Sequence, residues 1–153
     1  LSTSDSCKYM TVIEVGSDKS YKNVMINLND VDYIESENRR LVYYIGDKRY
    51  LQITKLSEMK SVLNEQDGFV SLDRTNLVNL NKVKEYDQNL GNVYFDQKSE
   101  SEGKRSFTTI AKIKQKILSP LIHRAIAQNL GLQRTTTVDS QNKQRLFKQP
   151  EQE

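Results

Sequence analysis

A mainly β architecture is predicted for this chain: an elongated arrangement of small antiparallel sheets with one short central helix and a C-terminal helical extension. Three observations predict it. Apolar and polar residues alternate over many short runs rich in Val, Ile, Tyr and Thr, the period-two pattern of half-buried strands. Polar turn-forming clusters separate most of those runs, so the crossover helices of a parallel, doubly wound sheet are missing. Helical spacing of apolar residues is confined to the middle of the chain and to its later part.

Taken in order, residues 1–9, which begin LSTSDS, read as a flexible lead. They leave no room for a receiver domain, so control of this chain by phosphorylation of such a domain is not expected. Residues 10–15 and 24–28 alternate across the turn-rich GSDKSYKN and read as a hairpin. Asn29-Asp30 interrupts it, and Val31, Tyr33 and Ile34 open a strand that ends in Glu35-Ser36-Glu37-Asn38-Arg39-Arg40. LVYYI, a Gly46-Asp47 turn and RYLQI continue the sheet. Leu56, Met59, Val62 and Leu63 recur at helical spacing behind Thr54 or Lys55, which predicts the short helix. In FVSLDRTNLVNLNKVKEY, residues 69–86, Asp73-Arg74-Thr75-Asn76 breaks the alternation as a turn and leaves the Arg74 guanidinium at the tip of two β-segments.

Residues 83–86 and 92–95 flank a QNLG turn, and the polar KSESEGKR leads to a strand at 106–109. From there Ile110, Ile113, Ile117 and Leu121 share one helical face, with Lys112, Lys114 and Lys116 elsewhere. Ser119 and Pro120 read as the N-cap and first-turn proline of a second helix that stops at Gly131. Leu121, Ile122, Ala125, Ile126 and Leu130 give that helix an apolar side that has to cover something. Beyond it the chain is polar and without period, and reads as disordered. The expected organisation is a lead at 1–9, a domain at 10–118, a helical extension at 119–131 and a disordered tail at 132–153.

A chain of 153 residues can bury a core without disulfides or a structural metal. Cys7 and His123 are the only residues of their kinds, which excludes zinc sites built from several Cys and His and a catalytic Cys-His pair unless these two meet. Asp30, Asp32 and Glu35 read as a solvated rim rather than a cation site. There is no Gly-rich phosphate loop, His-supported nucleophile or motif-placed carboxylate pair, so a non-enzymatic binding module without metal or cofactor is expected. No apolar run approaches the roughly 20 residues that cross a bilayer, and the start lacks the order of a secretory signal, so the cytoplasm is expected.

The net charge of +3 conceals a segregation of charge, because residues 103–138 contain no Asp or Glu while Lys104, Arg105, Lys112, Lys114, Lys116, Arg124 and Arg134 are basic. Such a block makes a local positive potential, for which nucleic acid is the first partner, an anionic membrane surface the second, and a plain solvated helix face the alternative. Arg74 on a β-frame suits a phosphate or a guanine edge, against the alternative of an ordinary surface arginine. Tyr33, Tyr43, Tyr44 and Tyr50 read as strand packing rather than base-stacking platforms, and His123 as a helix surface residue.

In this order the segments resemble the LytTR DNA-binding domain of bacterial transcription regulators. MINLNDVDYIES, with Ile26, Leu28, Asp30, Val31, Tyr33, Ile34 and Glu35, is similar to that family's opening motif. FVSLDRTNLVNLNKVKEY is similar to its phenylalanine, His-Arg-Ser and Leu-Val-Asn signature, and VYFD with RSFTTIAKIKQKI to its last strand and terminal helix. The resemblance spans roughly residues 10–118 and rests on the joint order of motifs. It implies a response-regulator output domain in which loops, not a recognition helix, enter the major groove, with two copies as a homodimer on direct repeats of promoter DNA. Carried over by position, it implies base reading by Asn38, Arg39, Arg40 and Arg74, a turn-holding role for Asn79, and phosphate or auxiliary contacts from Lys104, Arg105, Thr109, Lys112, Lys114 and Lys116. The sequence departs from the family in two places: Asp73 stands at its His position, and its Ser-Arg step before the final helix is absent, with Thr108, Thr109 and Lys112 the nearest candidates. Both departures favour an alternative, a protein-interaction or co-regulator module of the same fold that has lost sequence reading and holds a partner on the apolar side of residues 120–130.

Overall fold

The computed structural model describes residues 8–100, 103 and 105–132. Cys7, Lys104 and the predicted tail from Gln133 lie outside the described residues. Seven strands form one antiparallel sheet in the order β2-β1-β5-β4-β3-β7-β6: β1 (Tyr9–Val15), β2 (Tyr21–Asn27), β3 (Tyr33–Glu37), β4 (Arg40–Ile45), β5 (Lys48–Gln52), β6 (Phe69–Val70) and β7 (Asn76–Asn79). A second sheet has the order β10-β9-β8, from β8 (Glu85–Asp87), β9 (Asn92–Tyr94) and β10 (Phe107–Thr109). The helices are α1 (Leu56–Val62) and α2 (Lys112–Asn129).

The period-two pattern explains why two cores form. On β3, Ile34 faces one way with Leu41, Tyr43, Tyr50 and Leu77, and packs with Leu56 and Met59 of α1, Leu63 and Phe69. Its neighbour Tyr33 faces the other way beside Val78, and packs with Leu72, Leu80, Val83, Val93, Ile110 and Ile122. Ile34, Val78 and Ile122 are all fully buried, and burial of such a side chain contributes about 1.5–3 kcal/mol each. The sheet is therefore covered on both faces around β3 and β7. On the β2–β1–β5 side the second face is bare, with Tyr21, Met25 and Ile53 exposed.

The later helical segments differ from the expectation in two ways. A single helix, α2, runs through Pro120 instead of breaking there. Proline removes one main-chain bond, to the Lys116 carbonyl, but the helix is fixed by its packing on both sides of that point. Ser119 is buried and shares a 2.8 Å hydrogen bond with the Tyr86 hydroxyl, so it is a core contact and not an N-cap. The inward stripe is also rotated: Leu118, Leu121, Ile122, Ala125 and Ile126 meet the second core, while Ile113 and Ile117 are 86% and 77% exposed. The apolar side of residues 120–130 is thus occupied by the domain's own core, with the Asn129 amide donating to the Leu80 and Val83 carbonyls at 2.8 and 2.7 Å. That corrects the expectation of a partner surface there.

Candidate nucleic-acid interface

Three chain segments meet at one end of the large sheet because of strand register. In the antiparallel pair β3–β7, Tyr33 opposes Val78 and Glu35 opposes Asn76. The turn leaving β3 and the loop entering β7 therefore share an end, joined by the Ser36 amide donating to the Thr75 carbonyl at 2.9 Å. The junction of β10 and α2 reaches the same end, where the Ala111 amide donates to the Leu72 carbonyl at 2.9 Å.

Asn38 and Arg39 are the two central residues of the β3–β4 turn, and both take positive φ, 49° and 66°. A type I′ turn requires this pair and favours Asn-Gly. Arg39 holds the position at which glycine would be unstrained, and a side chain in this left-handed region costs roughly 1–2 kcal/mol. Arg39 and Arg40 are exposed. The nearby Glu37 carboxylate is instead taken by Arg49 at 3.3 Å and by the Tyr44 hydroxyl at 2.7 Å, and Arg49 lies over the Tyr44 ring.

The β6–β7 loop carries Arg74, exposed and outside every ion pair among the described residues. Asn76, 1% exposed, holds this loop. Its side-chain oxygen accepts from the Leu72 and Asp73 amides at 3.1 and 2.9 Å. Its amide nitrogen donates to the Thr108 hydroxyl and the Thr109 carbonyl, both at 2.8 Å. The Thr108 hydroxyl in turn donates to Glu35 at 2.8 Å, so β3, β7 and β10 are tied beneath the loop tips. Sequence reasoning assigned Asn76 to the turn and missed this role; the one available signal was its place just before the apolar Leu77-Val78.

Asp73 does not meet the Arg74 guanidinium: one carboxylate oxygen accepts the Arg74 main-chain amide at 2.7 Å and the other lies 3.5 Å from the Thr109 hydroxyl. Burial raises the Glu35 carboxyl above its ordinary range, the Thr108 hydrogen bond opposes this, and Glu37 and Asp73 add to the rise. Burial likewise raises Asp32, which accepts from the Gly46 amide. These two carboxylates are therefore not the solvated rim that was expected. Among the described residues no group of three or more His, Cys, Asp or Glu could hold a metal ion.

The remaining sequence-selected residues divide. Lys112 and Lys116 are exposed on α2, and Thr109 is exposed beside Asp73. Lys114 is half-buried, with its ammonium 3.3 Å from the Ser71 carbonyl. Arg105 is only 14% exposed and bonds Asp96 at 2.9 Å and Glu85 at 3.2 Å, with its guanidinium 4.0 Å above the Tyr94 ring. It clamps β8, β9 and the strand that follows, so its guanidinium is already engaged by two carboxylates. Asn79 sits at the opposite end of β7 from Arg74. Its amide donates to the Val31 and Asn29 carbonyls at 2.9 and 3.3 Å, and its oxygen accepts from the Asn81 amide at 3.1 Å. Tyr33 stacks on Tyr44 and Phe95 with centroids 4.3 and 5.0 Å apart, and burial pushes its hydroxyl up to about 12. Tyr43 and Tyr50 are also buried, and His123 is exposed against Tyr86.

No helix among the described residues is long and apolar enough to cross a membrane. The family model of the LytTr DNA-binding domain matches residues 21–117. The fold is similar to that of a solved LytTr DNA-binding domain from Bacillus cereus, with a TM-score of 0.51 at 15% identity over 74% of this chain and 97% of that one. No curated protein matches the chain.

Proposed function

Because the chain belongs to the LytTR family of DNA-binding domains, a non-enzymatic family that acts in transcription regulation, we propose that it reads promoter sequence through loop side chains in the major groove. The observation that carries this is the shared end of the large sheet, where Arg39, Arg40 and Arg74 are exposed and engaged by no carboxylate among the described residues. A guanidinium offers paired donors that match the O6 and N7 acceptors of guanine. It reads best when its frame is stiff, and Asn76 and the β3–β7 register supply that stiffness. Asn38 sets the turn that lifts Arg39. Thr109, Lys112 and Lys116 flank the reading end and engage phosphates, with a smaller part for Lys114, whose ammonium is shared with Ser71. Two copies bind direct repeats as a homodimer on the DNA, in the cytoplasm of a bacterial cell, as the output of a response regulator.

Arg74→Ala is expected to cost about 1–3 kcal/mol on the preferred site and to relax one position of it, whereas Lys112→Ala weakens all duplexes alike and lowers the salt slope by about 1. Fluorescence anisotropy on the selected site and on random duplex, over a salt series, measures both. Equal losses by the two variants on both duplexes would overturn the assignment of reading and phosphate roles.

A further inference from the structure

We infer that Asp73 is a base-selecting residue, accepting a hydrogen bond from the exocyclic amino group of a cytosine next to the contact made by Arg74. The inference rests on the reading of this end of the sheet as the DNA-reading surface. The main chain of Asp73 is pinned on both sides, its amide donating to Asn76 at 2.9 Å and its carbonyl accepting the Ser71 hydroxyl at 2.7 Å. Its carboxylate is oriented by the Arg74 amide at 2.7 Å. The second oxygen has the Thr109 hydroxyl only at 3.5 Å, the long limit of a hydrogen bond, and no ion pair among the described residues uses it. A fixed, acceptor-only group therefore stands one residue before Arg74, which is exposed.

In the major groove the donors are the amino groups of cytosine and adenine, and adenine places the acceptor N7 beside its amino group. A carboxylate is repelled by that second acceptor, as it is by the acceptors of guanine and thymine, so cytosine is the base it tolerates best. The adjacent guanidinium complements the O6 and N7 of guanine. Together Asp73 and Arg74 select a cytosine and a guanine, in one base pair or in neighbouring pairs. The same carboxylate is repelled by every phosphate it approaches, so it lowers affinity for all DNA and recovers some only where cytosine is present.

Selection from random duplexes with the wild-type chain, Asp73→Asn and Asp73→Ala tests this. The wild type is expected to enrich a motif with one fixed cytosine near a fixed guanine. Asp73→Asn keeps an acceptor for the Arg74 amide but can both donate and accept, so it should move that cytosine toward adenine. Asp73→Ala should flatten the position, leave the rest of the motif, and bind random duplex several-fold tighter. At the cytosine position the wild type should discriminate by about tenfold, the factor set by one well-placed contact. A wild-type motif that both variants reproduce unchanged would overturn the role of Asp73 alone. A wild type that enriches no motif would overturn the underlying reading of sequence as well.

Discussion

Replacing Asn76 with alanine should cost about 4–5 kcal/mol of folding stability and should disable sequence reading before it unfolds the domain. Asn76 makes four hydrogen bonds, to Leu72, Asp73, Thr108 and Thr109, at 2.8–3.1 Å. A net value near 1 kcal/mol for each gives about 4 kcal/mol. Two main-chain amides and one carbonyl lose this partner where the side chain is 1% exposed, and an orphaned buried group adds a further penalty of about 1 kcal/mol or more. Against a total of about 5–15 kcal/mol for an ordinary domain, this leaves the variant folded but weakened over all except the low end of that range. Urea unfolding read by circular dichroism gives the loss, provided the slope with denaturant is unchanged. Asn79→Ala is the control: it removes three bonds at the other end of β7, where the side chain is as buried as that of Asn76, and should cost about 3–4 kcal/mol on the same reasoning. Below the onset of unfolding, Asn76→Ala should narrow the gap between specific and random DNA, and Asn79→Ala should not. A loss under about 1 kcal/mol for Asn76→Ala, or an equal loss of discrimination in Asn79→Ala, would refute the role given to this network.

Arg39→Gly should raise stability by about 1 kcal/mol, because glycine adopts the φ of 66° freely, while weakening DNA binding; a lowered urea midpoint would show that the turn is not strained. Ile113→Ser should change stability by less than about 0.5 kcal/mol and Ile122→Ala should lose about 2–5 kcal/mol, since their exposures are 86% and 0%; similar losses would mean the helix is turned differently. Arg105→Ala should destabilise the domain at neutral pH without changing the salt dependence of DNA binding. Its hydrogen bonds to Glu85 are the first cause of that carboxyl's depressed pKa. Such a depressed group stabilises fully above its unfolded value near 4.5 and loses the contribution as pH falls through the lower native value. The gap between variant and wild type should therefore close in acid, and a gap independent of pH would exclude this ion pair as its source.

Local features were legible in the sequence and distant pairings were not. The hairpins could be read because period two and turn chemistry are properties of adjacent residues, and the tips bearing Arg39 and Arg74 follow from them. The burial of α2 could not be read, because its sequence offers two stripes. One follows Ile113 and Ile117 and the other Leu118, Leu121 and Ile122. Which stripe turns inward depends on the surface offered by Tyr33, Val78 and Val93, which come from two sheets. Arg105 was grouped with the basic block because it is near it in sequence; its partners Glu85 and Asp96 lie 20 and 9 residues away. Asn76 followed a turn signature, and only its place just before the apolar Leu77-Val78 hinted that its side chain would be buried between β3 and β10.

The distribution of negative charge at the reading end bears on binding as much as the arginines do. Three carboxylates, Glu35, Glu37 and Asp73, lie near a surface that must approach phosphates. Glu37 is paired with Arg49 and bonded by Tyr44. Glu35 lies under the loops, holds a hydrogen bond from Thr108, and has its proton affinity raised by burial, so the approach of further negative charge acts on a group already inclined to neutralise. Asp73, half-buried like the other two, has neither an ion pair among the described residues nor a hydrogen bond from another side chain shorter than 3.5 Å. A surface adapted only for affinity would have replaced or paired it, as Glu37 is paired. Its presence next to Arg74, fixed by main-chain bonds to Ser71 and Asn76 and by one to its carboxylate, is understandable if the end discriminates among bases, because an unpaired acceptor penalises most of them.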